Sequence, residues 1–491
     1  MAMTKQDIIR GLRELGVREG DILMVHSALS SFGRVEGGAD ALIDALLEAV
    51  GPSGTVGMPT LYLPSISGVE VFDVNESPSQ MGDVTETFRK RPGTLRGLHP
   101  THSVAVVGAR AEDLIRDHVT APTACGKGTP FGRLAEWGGK VLLLGVDQDR
   151  NTLLHTAEDY ANLPFLSTRT AKYRDPADGE VKEITLSRFP GPHRNFIGLD
   201  PLFREAGVMS IGKIGKAVCR LMDAEGTVRV AVEALTKAPA AVLCDNPACA
   251  DCVQQRGLIR KAALDREDFT LAARVDEVSD LSELTSLLWG YGITAIEIGP
   301  AWLKRILKDG SRAWAEMISE AGLNVIGIDI SETRDLQKAV EFAVKIGCAT
   351  LVTAGRSEGE LKTTAGKASA AGISLLVRNS RGSRMDVSAK TGSLKGTGIG
   401  LAFDPSEFAA MREMPFLSVY YHGIPKGLVR QLYIKDGTFD GRLTEPGFGN
   451  GEIKELISIL RCRSFDGPMV IWPRESIASS CQAFWKLFET L

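Results

Sequence analysis

His155 and Glu158 stand three residues apart in the segment Asn151-Thr-Leu-Leu-His-Thr-Ala-Glu-Asp159, directly after the apolar run VLLLGV. On a helix that spacing puts both side chains on one face. A neutral imidazole held by a carboxylate is a general base suited to neutral pH. Attack by an amine on a thioester calls for such a base, because amines are mostly protonated near neutrality. Spacing alone does not separate this reading from a helix-start histidine beside a solvated glutamate.

Other stretches carry donors. Leu98-His99-Pro-Thr-His102-Ser103 precedes one apolar run, and His26-Ser27-Ala-Leu-Ser30-Ser31 follows another. Loops at strand ends present such groups to ligands, although Ser and Pro also punctuate ordinary turns. Ile211-Gly212-Lys213-Ile214-Gly215 leads into Arg220. Paired glycines let a backbone approach a ligand closely, and Lys213 and Arg220 suit phosphates, but the full phosphate-loop pattern is missing. Cys244, Cys249 and Cys252 form the densest cysteine group. Zinc there needs a fourth ligand, for which His193 and Cys219 are the candidates in space. With none near in sequence, free thiols in a turn-rich segment are favoured over a structural zinc.

The elements that must position these residues fall into two halves. A chain of 491 residues exceeds one ordinary core, and a charged stretch near 262–270 suggests domains of 1–265 and 266–491. The first half reads as an α/β layer structure. Its strands are expected at Ile22–His26, Thr55–Pro59, Val104–Gly108 and Val141–Gly145. Its helices are expected at Thr4–Leu15, Gly38–Val50, Met81–Arg89, Ala111–His118 and Leu153–Ala161. The second half alternates short apolar runs with helical patterns. Strands are expected at Leu271–Val275, Ala295–Ile298, Val325–Ile328, Thr350–Thr353, Ser374–Val377, Ile399–Phe403, Gln431–Ile434 and Met469–Trp472. That rhythm predicts a (β/α)8 barrel, with an open doubly wound sheet as the alternative.

Composition bounds the function. Hydrophobic residues make up 44% and charged residues 24%, as in globular proteins. A net charge of -4 and a pI near 6.1 argue against nucleic-acid binding as the main task. No apolar run is long enough to span a membrane, the first residues lack a signal-peptide core, and eight cysteines are too few for a disulfide scaffold. A cytoplasmic location is expected, and a homo-oligomer is left open.

Residues 4–235 resemble the aminoglycoside 3-N-acetyltransferase, or antibiotic N-acetyltransferase, family. The resemblance rests on LGVREGDILMVHSALSSFGRVEGGADALIDAL, GTVGMPT, LHPTHSVAVVG, GKGTPFGRL, VLLLGV, NTLLHTAED and GKIGKAVCRLM, in that order. It implies acetyl-CoA as donor and an amine, on an aminoglycoside or amino-sugar-like molecule, as acceptor. It further implies His155 as catalytic base and Glu158 as its orienting partner. Ser27, Ser30, Ser31 and Ser103 would line the pantetheine and thioester site, with Gly212, Lys213, Gly215 and Arg220 near the coenzyme. His99 and Asp159 would position substrate. One departure is the stretch FDVNESPSQMGDVTETFRKRPGTLRG, which lacks the acidic cluster a polycationic antibiotic favours, so a biosynthetic amino sugar stays open as acceptor.

The second half resembles the xylose-isomerase-like, or sugar-phosphate isomerase and epimerase, barrels through AIEIG, GIGLAFDPSEF, QLYIKDG and PGFGNGEIKELISIL. The divalent-metal ligands that this resemblance implies are largely replaced. Arg378-Asn379, Glu407 and Tyr433 stand at three of the positions, and only Asp404, with Glu475 nearby, remains. Arg274, Arg356, Arg378, Lys435 and Arg474 lie near strand ends, which points to a small anionic ligand in place of a metal. Pairing with acids such as Glu358 and Asp436 is the competing reading. Isomerase or epimerase activity in the barrel, and a non-catalytic acyl-CoA or metabolite-binding protein, are the alternatives for the chain.

Overall fold

The computed structural model describes residues 2–189, 194–266, 269–354, 357–380, 397–421, 424, 427–462 and 465–490. The chain divides into two compact units, Met1–Gln255 and Arg256–Leu491. The helix Ala250–Arg266 runs across that division, and the expected boundary at 265/266 falls at its end.

The strands of the first unit are β1 (Ile22–Ser27), β2 (Thr55–Pro59), β3 (Val71–Phe72), β4 (Leu95–Arg96), β5 (Val104–Gly108), β6 (Lys140–Leu144), β7 (Ser167–Arg174), β8 (Val181–Arg188), β9 (Met209–Ile214) and β10 (Ala217–Asp223). Seven of them form a mixed sheet in the order β4-β5-β2-β1-β6-β10-β9. Its centre, β2-β1-β6, is parallel and nearly continuously apolar, as strands covered on both faces must be. Alternation along β1 and β6 separates two cores. Leu23, Val25, Leu142 and Leu144 pack with residues of the helices Lys5–Leu15 and Gly38–Val50 on one face. Met24, Val141 and Leu143 pack on the other with Phe131, Leu154 and Ala157. The helix Leu154–Tyr160, which carries His155, Glu158 and Asp159, therefore belongs to the second face.

Two hairpins were not expected. β7 and β8 pair antiparallel over their length and join β3 in a separate three-stranded sheet. β9 and β10 pair up to Ile214 and Ala217, and Gly215, at φ +60, supplies the turn. The stretch singled out as a phosphate-contacting loop is this hairpin at the sheet edge.

The second unit holds β11 (Leu271–Val275), β12 (Ala295–Ile298), β13 (Asn324–Asp329), β14 (Thr350–Thr353), β15 (Ser374–Arg378), β16 (Gly400–Phe403), β17 (Val429–Ile434), β18 (Asp436–Gly437), β19 (Leu443–Thr444) and β20 (Met469–Ile471). Eight strands close in sequence order into a barrel, with β20 pairing to β11, while β18 and β19 form a small separate hairpin. Each barrel pairing is parallel. Ala272, Ala295, Val352, Leu376, Ala402, Tyr433 and Val470 form one buried cluster, and a larger apolar cluster joins the remaining strand side chains to the helices. After β17, Asp436 accepts hydrogen bonds from the backbone N–H groups of Gly437, Gly447, Gly449 and Gly451 at 2.7–2.9 Å. Among the described residues no helix is long and apolar enough to cross a membrane.

Candidate active site

The His155 helix starts on a buried polar network. Asn151 accepts from the N–H of Leu153 at 3.2 Å and donates to Gln148 at 3.0 Å, and Gln148 donates to Asp200 at 3.0 Å. These contacts hold the turn that aims the helix, since its N-cap residue, Leu153, has no side chain able to cap it. Across the helix, Thr156 Oγ1 donates to the Cys125 carbonyl at 2.6 Å. Gly126 is needed beside it, because a Cβ there would lie 2.0 Å from Asp159 Oδ2 and 2.4 Å from Thr123 Oγ1.

The geometry joins the expected pair. His155 Nδ1 lies 2.6 Å from Glu158 Oε2. The imidazole is a quarter exposed while the carboxylate is fully buried. Bonded in this way, Nδ1 carries the proton and Nε2 is left as the basic nitrogen. The ring is bracketed by Phe189, nearly parallel at 6.2 Å, and Phe196, edge-on at 5.3 Å. The other oxygen of Glu158 faces the buried guanidinium of Arg194. This contact is a pairing of charges, for none of the Arg194 nitrogens meets hydrogen-bond geometry among the described residues. Sequence reasoning missed Arg194, which arrives from a distant, irregular segment.

Four histidines belong to this region. His99 is fully buried and stacks on His118 at 4.4 Å. Its Nδ1 accepts from the N–H groups of Thr101 and His102 at 3.3 and 2.9 Å. Burial holds it well below the usual imidazole range. His99 thus supports the loop through Nδ1, while its Nε2 is buried with no partner among the described residues. His102 is the member of the motif within electrostatic reach of His155. Burial, then repulsion from His155, His118 and Arg169, lowers it to about 3. Burial likewise lowers His118 to about 4, and its Nε2 sits 2.9 Å from the Ala124 carbonyl.

The remaining expected residues divide. Ser27 ends β1 with a buried hydroxyl that has no partner among the described residues. Ser30 is exposed, and Ser31 donates to the Ala28 carbonyl at 2.6 Å. Ser103 is fully buried and donates to the Thr60 carbonyl at 2.7 Å, with Arg96 Nε at 3.1 Å. These bonds tie it to the end of β2 and to Arg96. A Cβ on Gly212 would meet Leu15, and one on Gly215 would meet Met3 at 2.3 Å. Both glycines therefore serve packing on the face opposite the His155 helix, and Lys213 is exposed. Arg220 is flanked by Asp147 at 3.2 Å and Asp200 at 3.3 Å, so it braces the polar network, and its Nε has no hydrogen-bond partner among the described residues. Asp159 is half-buried, and desolvation raises its carboxyl against a hydrogen bond from Thr123.

In the second unit, Arg274, Lys435 and Arg378 surround the ring of Trp472 at 3.7, 4.3 and 4.7 Å from its centroid. The expected ring of open cations is corrected by their partners. Arg274 donates to Glu297 and Asp329 at 2.8 Å each. Lys435 lies 2.8 Å from Asp404 and 3.6 Å from Glu407. Glu297 also accepts from Gln431 at 2.6 Å and Tyr433 at 2.9 Å, and burial raises its carboxyl. Arg474 pairs with Glu475 at 2.9 Å. Arg378 is the exception, with a 3.7 Å contact to Asp329 and an Nε that has no partner among the described residues. Arg356 and His193 lie outside the described residues.

The cysteine trio does converge. The sulfurs of Cys244, Cys249 and Cys252 lie within 4.8 Å of one another, and Cys219 is not among them.

The family model described as aminoglycoside 3-N-acetyltransferase matches residues 24–236. Aminoglycoside N(3)-acetyltransferase IV of Salmonella sp is 34% identical over 239 residues, covering 48% of this chain and 88% of that protein. Among solved structures, a histidine-to-alanine mutant of aminoglycoside acetyltransferase AAC(3)-IVa in complex with a gentamicin is 32% identical, with 51% of this chain and 96% of that one covered and a TM-score of 0.47. AAC-IIIb, solved as a binary complex with CoASH, is also 32% identical, with 48% and 97% covered and a TM-score of 0.44. Through its first unit, which holds the His155–Glu158 pair, the chain belongs to the aminoglycoside 3-N-acetyltransferase family and is an acyltransferase.

Proposed function

We propose that the first unit moves an acetyl group from acetyl-CoA to an amino group of an aminoglycoside or amino-sugar-like substrate, with His155 as general base and Glu158 as its orienting partner. The observation that carries this is the 2.6 Å contact between His155 Nδ1 and Glu158 Oε2, inside the family-matched residues. The amine nitrogen attacks the thioester carbonyl, and its proton passes to His155 Nε2. The C–S bond breaks, coenzyme A leaves as thiolate, and the thiolate takes the proton from the His155 imidazolium, giving the free thiol and restoring the neutral base. Glu158 holds the tautomer and stabilises the imidazolium that forms, and Arg194 balances the buried carboxylate from its other side. Ser27, with its unengaged buried hydroxyl, is a candidate donor near the coenzyme. The test is thiol release from acetyl-CoA by the full chain across a panel of aminoglycosides and simple amino sugars. Turnover with members of the panel is expected, and none with any amine would overturn the proposal.

For the second unit we infer a TIM-type (β/α)8 barrel, akin to the xylose-isomerase-like barrels, whose mouth takes a small anion at Arg378. The support is that Arg378 makes only a long carboxylate contact, 3.7 Å to Asp329, and that its buried Nε has no hydrogen-bond partner among the described residues. Thermal-shift measurements with sugar phosphates test it. A ligand at about 100 times its dissociation constant adds about 2.7 kcal/mol of stability. Equal responses from wild type and Arg378→Ala would sink the idea.

A further inference from the structure

Three thiols meet in the first unit, outside the His155–Glu158 helix. Cys249 stands just before the helix Ala250–Arg266, Cys252 lies in that helix's first turn, and Cys244 lies in the segment leading to it. Their sulfurs are within 4.8 Å of one another, and none of the chain's eight cysteines is disulfide-bonded. Cys252 is fully buried, while Cys244 and Cys249 keep partial access. Three sulfurs that close to one another can form one face of a coordination tetrahedron. With Zn–S bonds of about 2.3 Å, the sulfurs of such a site sit roughly 3.8 Å apart. An iron–sulfur cube spreads its cysteines more widely, because each sulfur bonds a different iron. Three thiolates also form a soft donor set, which favours zinc over magnesium or calcium. The helix N-terminus next to Cys252 stabilises negative charge on the sulfurs.

We propose that Cys244, Cys249 and Cys252 bind one zinc ion, with the fourth position held by a ligand from outside the trio. The site is structural and acts as a staple. Its segment reaches back into the first unit at three points. The Val242 carbonyl accepts from Asn195 N–H at 2.8 Å. Asp251 takes two hydrogen bonds from Arg188, at 2.7 and 3.2 Å. Gln255 donates to the Pro164 carbonyl at 2.5 Å. Asn195 is the residue after Arg194, whose guanidinium faces Glu158. Zinc therefore fixes the segment against which the Arg194 stretch is anchored. This second claim rests on the proposed role of the His155–Glu158 pair, whereas zinc binding does not.

The test starts with elemental analysis of the full chain, purified without added metal. About one zinc per chain is expected, released when a mercurial reagent titrates the thiols. Cys252→Ser and Cys249→Ser should each lose that zinc, while Cys462→Ser, an exposed cysteine elsewhere, should keep it. Should the variants fail to fold, cobalt substituted into the wild type answers the same question. Thiolate-to-cobalt charge-transfer absorption with the visible bands of a tetrahedral ion is expected. Zinc at background level with freely titrating thiols, an intact mass showing a disulfide within the trio, or an octahedral cobalt spectrum would each overturn the site. If zinc is present but its removal leaves kcat for acetyl transfer unchanged, the site stands and its link to Arg194 falls.

Discussion

Arg194 meets Glu158 on the carboxylate oxygen that His155 leaves unused. The three residues form a line in which a buried negative charge is held between a fixed cation and a base. Without the guanidinium the carboxylate would be buried unpaired, and removing one partner of such a pair costs about 3–5 kcal/mol. Arg194→Met is therefore expected to lower the stability of the first unit by an amount in that range, measured by urea unfolding. Adding Glu158→Gln to the same chain should restore part of the loss. Wild-type stability in Arg194→Met would show that the pair contributes nothing.

The roles of the two partners are separable by rate. His155→Ala should lower acetyl transfer by about 10²–10⁴-fold while coenzyme A still binds. Glu158→Gln should do less damage, because it keeps a hydrogen-bonding group beside Nδ1. Coenzyme A binding by calorimetry and turnover by thiol release check both. If Glu158→Gln proves the more harmful change, the carboxylate carries more of the chemistry than orientation.

Acid should loosen the first unit. Burial lowers His26 and His118 to about 4 and His102 to about 3. Their folded values lie below the unfolded value, so the unfolded chain takes up protons first. Stability from these neutral rings is complete above about pH 6.5 and declines as pH falls toward about 4, by up to about 1.4 kcal/mol per pH unit for each histidine. Urea unfolding at a series of pH values measures the slope. His118→Gln, which keeps a donor for the Ala124 carbonyl, should make it shallower, and an unchanged slope would remove His118 from the account.

Within the barrel, Arg274 neutralises two buried carboxylates at once, Glu297 and Asp329. Arg274→Met should destabilise the second unit by about 3–5 kcal/mol, the range for breaking a buried pair. A second change, Glu297→Gln, should recover part of this, because Gln431 and Tyr433 can still bond a neutral amide. Thermal melting of the three chains decides it, and additive losses would argue against coupling.

The barrel strands were legible in the sequence because each is a short apolar run closed by a turn, and the eight expected runs match the eight observed strands to within a few residues. The His155–Glu158 pair was legible because three-residue spacing on a helix is a local property. The hairpin of β7 and β8 was hidden, since STRTAKYR and VKEITLSR are largely exposed and alternate weakly. Gly212 and Gly215 of the β9–β10 hairpin looked like a ligand loop because close backbone approach to a ligand and close side-chain packing ask for the same residue. His99 and His102 share one motif, and only the turn between them decides which is interior. Arg194 was out of reach because its partner is distant in the chain and nothing in its neighbourhood marks it. The mouth cations were visible, but the acids that neutralise them sit on other strands.

The glycine spacing of Pro446-Gly-Phe-Gly-Asn-Gly451 acquires a meaning from Asp436. Gly447, Gly449 and Gly451 each turn an N–H onto that one carboxylate, and a Cβ on Gly449 or Gly451 would lie 2.4 or 2.6 Å from its oxygen. The backbone here behaves as a chelator and the side chain as its anion, with both in one chain. The loop from β18 to Gly451 is consequently a ring closed without a covalent bond. A protease that cut it near Asp440 would leave both new ends tethered to the same carboxylate, so a nicked barrel would hold its shape. Asp436→Asn, which turns one acceptor into a donor facing those N–H groups, would open the ring with every peptide bond intact.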